Sequence, residues 1–271
     1  MNRFEGRVAV ITGAASGMGA AVAKRCAAEG MHVVAADIDE DGLAALGAEH
    51  AVLCDVASAV DMQRLRDETM DRFGAVHFVY LNAGVVVAGP VDQLSLEAWE
   101  WTLGVDLWGV IHGVRTFLPI LRSQDEAHIF ATSSTCGLQA APGIGPYNVA
   151  KFGVIALMET VAHELGPSSN VGVTVLTPGA VDTRIAYSDR SMPDRLRAVH
   201  QPSAIETGFV ARSRALLAEH GMAPSAVADL VFEAARERRF WIVTHPAWID
   251  VVDNRVAGMR ANGELRAGFG G

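Results

Sequence analysis

The feature that most constrains the fold is a regular alternation of short, almost continuously apolar runs with longer helical patterns. RVAVIT precedes a helical stretch at 18–29, HVVAAD a short helix, AVLCD a helix at 58–73, and VHFVYL one at 97–122. The rhythm resumes with AHIFATS, a helix at 147–165, VGVTVL, a helix near 224–238 and the strand FWIVT. Seven strands joined through helices predict parallel pairing by right-handed crossovers, and strands lacking polar alternation predict burial on both faces. The expected architecture is an α/β, Rossmann-type doubly wound sheet of about seven parallel strands with helices on both faces. No linker or repeat divides the 271 residues, so 1–271 reads as a single domain, and a chain half hydrophobic can bury a sizeable core.

Two segments depart from the rhythm. Residues 184–223 are rich in Arg, Ser, Met and Pro where a short crossover would suffice, which predicts a substrate-binding insertion at the carboxyl end of a strand. Residues 260–271, ending in GELRAGFGG, lack core-forming side chains and predict a loose tail or a contact with another subunit.

The formal net charge of -9 disfavours nucleic acid and anionic membrane as partners. With no apolar stretch near twenty residues and no signal core, the expected location is cytoplasmic. Cys26, Cys54 and Cys136 are odd in number and widely spaced, and the histidines form no HExxH pair, so neither a disulfide framework nor a metal site is expected.

After the first strand comes TGAASGMG, with Gly13, Ser16, Gly17, Met18 and Gly19 leading into a helix-forming stretch. Glycines there let the backbone approach a pyrophosphate, and the helix N-terminus offers unpaired N–H groups and the positive end of its dipole. Asp37 ends the second strand about twenty residues later, where a carboxylate binds a ribose 2'-hydroxyl. Ile38 follows it and the loop holds no Arg or Lys, so a 2'-phosphate would meet a like charge. The expected cofactor is NAD rather than NADP.

The glycine order resembles the TGxxxGxG loop of the short-chain dehydrogenase/reductase family, and further family motifs follow in order from about Arg7 to Thr244. Cys54-Asp55-Val56 looks like the adenine-contacting end of the third strand, Asn82-Ala83-Gly84 matches the NAG after the fourth, and Pro178-Gly179 with Val181 and Thr183 resembles the segment holding the nicotinamide carboxamide. The resemblance assigns Tyr147 and Lys151 as the YxxxK acid/base pair, one helical turn apart, with Ser134 thirteen residues upstream as the third catalytic residue. On that reading Lys151 holds the nicotinamide ribose and makes the Tyr147 phenol more acidic. Ser134 orients the substrate oxygen, and Ser133 faces the other way. The implied reaction is hydride transfer between a secondary alcohol and a ketone; an NAD-binding scaffold or regulator with little turnover is the alternative. Reduction of a carbon-carbon double bond belongs to relatives with a wider Tyr-Lys spacing.

Three positions depart from the family pattern. Asp106 in WTLGVDLWGV stands where Asn usually holds a water linking the lysine to solvent, and an ionised carboxylate there opposes the field of Lys151. Leu81 replaces a second Asn before NAG and is expected to pack in the sheet, while Val149 replaces a small residue inside YxxxK. For the substrate, Leu138, Ile144, Tyr187, Met192 and Phe209 suggest an apolar pocket for a hydrophobic alcohol or ketone, whereas Arg184, Arg190, Arg195 and Arg197 suggest an acidic one. Trp99, Trp101 and Trp108 make the 97–122 helix more apolar than one sheet face needs, which together with the family habit implies a homo-oligomer, tetramer or dimer.

Overall fold

The structure is a computed structural model that describes residues 1–202, 204–261 and 263. Strands β1 (Val8–Thr12), β2 (His32–Asp37) and β3 (His50–Leu53) are separated by α1 (Gly17–Ala28) and α2 (Glu40–Leu46). Helix α3 (Ala59–Phe73) leads to β4 (Phe78–Leu81), and α4 (Leu96–Leu103) and α5 (Gly109–Arg122) lead to β5 (Ala127–Thr132). Helix α6 (Gly145–Leu165) precedes β6 (Val171–Thr177), after which come α7 (Asp194–Arg197), α8 (Ala204–His220), α9 (Pro224–Glu237), β7 (Trp241–Val243) and α10 (Asp250–Arg260).

The seven strands form one parallel sheet in the order β3-β2-β1-β4-β5-β6-β7. The chain winds outward from β1 to β3, returns to the centre, and winds outward again, so the loops after β1 and β4 diverge and leave a crevice between them. The inner strands feed two cores by alternation. In β1, Val8 and Val10 enter one cluster with Phe117, Ile129 and Met158, while Ala9 and Ile11 enter the other with Phe78, Phe130 and Phe232. This two-sided burial is what the nearly continuous apolar runs require.

The helix expected over 97–122 is two helices joined by a π-helical turn at Gly104–Trp108. The wider turn carries Asp106 inward to the loop after β4, where its Oδ1 accepts the Val85 N–H at 2.8 Å. Segment 184–223 is largely helical: a 3-10 stretch at Ile185–Ser191, then α7 and α8. Helix α8 has no fully buried residue among those described, which explains why it left no apolar periodicity to read. Most of the 260–271 tail lies outside the described residues.

Candidate active site

The loop after β1 is shaped by backbone contacts that tolerate no side chain. Gly13 has φ of 65°, and a Cβ there would lie 2.8 Å from Ala83 Cα in the loop after β4. At Gly19 a Cβ would come within 2.0 Å of the Gly13 carbonyl oxygen, so this glycine packs behind the loop and does not line the cleft. Asn82 secures the arrangement. Its N–H donates to Thr12 Oγ1 at 2.9 Å, its Nδ2 to the Thr12 carbonyl at 3.3 Å, and its Oδ1 accepts from Thr132 Oγ1 at 3.2 Å. Asn82 therefore ties the ends of β1 and β5 together across β4.

Helix α1 begins at Gly17 after an extended Ser16 that makes no side-chain capping bond, leaving its first N–H groups free for an anion. The Asp37 carboxylate is held on both oxygens, Oδ2 by the Ala15 N–H at 2.9 Å and Oδ1 by the Asp39 N–H at 3.0 Å. Across the sheet, the Gly179 N–H donates to Thr244 Oγ1 at 2.9 Å and the Pro178 carbonyl accepts the Thr135 N–H at 3.0 Å, fixing the turn after β6 beside Ser134.

One cleft of about 990 Å³ is lined by Gly13, Ser16, Gly17, Met18, Asp37, Ile38, Asp55, Val56, Asn82, Ala83, Gly84, Pro178, Gly179, Val181 and Thr183 together with Ser134, Tyr147 and Lys151. It runs from the end of β2 to the end of β5, three strand spacings or roughly 14 Å. A glycine cradle, an uncapped helix N-terminus and a tethered carboxylate along that length fit a dinucleotide.

The reactive groups gather where β5 ends and α6 begins. Ser134 Oγ accepts the Cys136 N–H at 3.1 Å and its hydroxyl hydrogen-bonds the Tyr147 phenol, whereas Ser133 points away, donating to the Lys151 carbonyl at 2.8 Å. Lys151 Nζ donates to the Thr132 carbonyl at 3.1 Å, pairs with Asp106 Oδ2 at 2.9 Å, and lies 5.3 Å from the Tyr147 ring centre. The Asp106 pairing differs from the water-mediated link that the family pattern implies. The inward turn of α4 and α5 brings the carboxylate directly onto the lysine, with 0 % and 2 % of the two residues exposed.

This alters the electrostatics expected of the pair. Burial pushes the Tyr147 phenol well above the usual range, the Cys136 thiol and the Asp106 carboxylate add to the shift, and a Ser134 hydrogen bond opposes it. Burial, rather than the charge of Lys151, dominates the phenol here. Burial likewise raises Asp106, against the pull of Lys151 and the Val85 N–H.

None of the residues proposed for an apolar substrate pocket lines the cleft. Ile144 and Met192 are buried in packing, Leu138 packs against the larger core, and Tyr187 lies under the Arg214 guanidinium, 3.9 Å from its ring centre. Phe209 lies on α8 and does not line the cleft. The apolar residues of the insertion go to anchoring it: Met192 and Leu196 form a small core with Val85, Val87, Ala98 and Trp101. Beyond the segments already named, the cleft takes apolar lining from Val85, Trp101, Val105, Ile185 and Leu217. Arg184, Arg190 and Arg195 line it too, whereas Arg197 donates to the Asp189 and Met192 carbonyls. Val149 is half exposed and Leu81 is buried. Among the described residues no cluster of His, Cys, Asp and Glu has the form of a metal site, and no helix is long and apolar enough to cross a membrane.

Comparison with known proteins agrees with this geometry. A crystal structure of a short chain dehydrogenase/reductase from Burkholderia phymatum, in complex with NAD, superposes with a TM-score of 0.94 at 39% identity, covering 98% of this chain and 99% of that one. The CLA biosynthesis dehydrogenase/reductase of Lactiplantibacillus plantarum is 28% identical over 94% of both chains. The D-threitol dehydrogenase of Mycolicibacterium smegmatis is 31% identical over 68% of this chain and 74% of its own. The family model described as short chain dehydrogenase matches residues 7–194. The chain belongs to the short-chain dehydrogenase family, and it is an oxidoreductase of that family.

Proposed function

We propose that the protein interconverts a secondary alcohol and a ketone with NAD as the hydride carrier. The observation that carries this reading is the single cleft holding both the tethered Asp37 carboxylate and the Ser134, Tyr147 and Lys151 group. The NAD complex of the Burkholderia protein supports the choice of cofactor, and Asp37 disfavours a 2'-phosphate by like-charge contact.

Bound NAD supplies hydride acceptance, and the protein supplies orientation and proton transfer. Tyr147 Oη takes the hydroxyl proton in oxidation and returns it in reduction. The Ser134 hydroxyl, its oxygen already engaged by the Cys136 N–H, donates its hydrogen to the substrate oxygen and fixes its direction. Lys151, anchored by the Thr132 carbonyl and Asp106, holds the ribose. The apolar wall of Val85, Trp101, Val105, Ile185 and Leu217 suits a predominantly hydrophobic small molecule. Three cysteines without a disulfide suit a reducing cytoplasm.

Titrating NAD and NADP against tryptophan fluorescence, in the wild type and in Asp37→Ala, tests the site. Tight NAD, weak NADP and an NAD loss of about 1–3 kcal/mol in the variant are expected. Tyr147→Phe should then lower kcat about 10²-fold or more while NAD affinity stays within a few-fold. No binding of either dinucleotide would overturn the reading.

Exposed Leu96, Trp108 and Val149 on α4, the π turn and α6 leave apolar surface that a second copy would cover, as in a dimer or tetramer. Sedimentation at micromolar concentration should show an oligomer that Trp108→Arg weakens. A monomeric wild type refutes it.

A further inference from the structure

From Gly13 to Gly19 the phosphate-binding loop contains no lysine or arginine, so it meets an anion with N–H groups and a helix terminus alone. The neighbouring wall is acidic, carrying Asp37, Asp39, Glu40 and Asp41. A doubly charged pyrophosphate entering that field needs a cation that the loop does not supply.

The crossover after β6 brings Arg184 and Arg190, besides Arg195, which faces Glu100 at 4.0 Å. Its 3-10 stretch is fixed at several points: Ser188, buried, accepts the Val86 N–H at 3.0 Å and donates to the Ile185 carbonyl at 2.7 Å, while Arg214 Nε on α8 donates to the Ala186 carbonyl at 3.2 Å. With the backbone held in this way, Arg184 and Arg190 both line the cleft that Gly17 lines. Arg184 Nη2 lies 3.3 Å from Asp39 Oδ2. Arg190 Nη1 donates to the carbonyls of Arg184 at 2.8 Å and Tyr187 at 3.0 Å. Among the described residues no hydrogen bond uses Nε or Nη2 of Arg190, so these donors remain for a ligand. The two guanidinium groups repel each other: burial and the charge of Arg184 lower the Arg190 pKa, against the opposing fields of Asp37, Asp39 and Asp189. An anion between them would relieve that repulsion and gain charge-assisted hydrogen bonds.

We propose that Arg184 and Arg190 bind the pyrophosphate of the dinucleotide, completing from the crossover a site that the glycine loop begins. This rests on the NAD reading above. The same stretch contributes Ile185 to the cleft, so cofactor binding also fixes part of the wall that meets the substrate.

The test compares NAD, ADP-ribose and adenosine binding, by calorimetry without substrate, in the wild type, in R184Q/R190Q and in R184K/R190K, each with its melting temperature. The glutamine pair should weaken NAD and ADP-ribose at least twentyfold, leave adenosine within twofold, and flatten the decline of NAD affinity with added salt; the lysine pair should fall between. Unchanged NAD affinity in the glutamine pair overturns the assignment. So does an equal loss for adenosine, which would mean a structural role, or a raised substrate KM with unchanged NAD affinity, which would place a substrate anion there. A wild type that binds no NAD refutes the cofactor reading as well, and is distinguishable because the defect precedes any substitution.

Discussion

Asp106 and Lys151 pair at 2.9 Å with both side chains out of water, a placement whose desolvation is offset only when the remaining polar atoms are also engaged. The Val85 N–H on Oδ1 and the Thr132 carbonyl on Nζ supply those contacts. The carboxylate also raises the Tyr147 phenol, because a nearby negative charge disfavours phenolate. Alcohol oxidation needs that phenolate, so its rate should rise with pH through the Tyr147 titration. Asp106→Asn removes the opposing charge and should move the rising limb of kcat/KM about one unit to lower pH, equivalent to about 1.4 kcal/mol, while activity is retained. An unshifted limb would mean that Asp106 is neutral in the working enzyme. The identities of these residues were legible from YxxxK, the upstream serine and the helix motif. The direct contact was not, since no residue type announces the π turn on which Asp106 sits.

Helix α5 approaches the loop after β3 and strand β4 through two glycines one turn apart. A Cβ on Gly109 would meet Val56 Cγ2 at 2.7 Å, and one on Gly113 would meet Leu81 Cδ2 at 2.3 Å. Gly113→Ala gains up to about 1 kcal/mol of helix propensity but overpacks a full core, which typically costs about 1–3 kcal/mol. A net loss of about 1–2 kcal/mol is expected in urea denaturation. Leu81→Val, which removes the colliding Cδ atoms, should recover part of that loss in the Gly113→Ala background while destabilising the wild type. Strictly additive effects would mean that α5 shifts away from β4 instead. The leucine that replaces an asparagine before the NAG motif thus matters to helix packing rather than to chemistry. Strands and their flanking helices were readable because the inner strands send apolar residues to two cores and each flanking helix sends a stripe to one. Helices α8 and α10 were not, because α8 buries no residue fully and α10 only Gly258. Their sequences lack the periodicity that burial imposes.

Over the whole molecule, a sheet covered on both faces leaves no room for water at its centre, yet β5 places His128 there with 0 % exposure. The ring stacks on Phe130 at 4.2 Å between centres, and its Nε2 lies 2.7 Å from Thr174 Oγ1. Thr174 in turn donates its hydroxyl hydrogen to the Arg239 carbonyl at 2.5 Å, so its oxygen must accept from Nε2–H. Nδ1 then carries no hydrogen, and it finds no partner among the described residues. The folded ring is therefore the neutral Nε2–H tautomer, and burial, with the positive charges of the Met1 amine and Arg238 adding, holds its pKa well below the ordinary 6.5. The sign of the pH effect follows. Below about pH 6.5 the unfolded chain binds a proton at His128 that the folded chain refuses, so stability is full above that value and falls as the solution is acidified. The slope from this one ring approaches 1.4 kcal/mol per pH unit. His128→Gln keeps a donor for Thr174 and removes the titration, so the stability difference between the two proteins should narrow steadily from pH 7 to pH 5. Comparing the variant with the wild type at each pH cancels the contribution of every other group, Asp106 included. Urea midpoints that fall in parallel for both proteins would show that His128 takes up its proton at Nδ1 in the folded state, against the burial and the missing acceptor there.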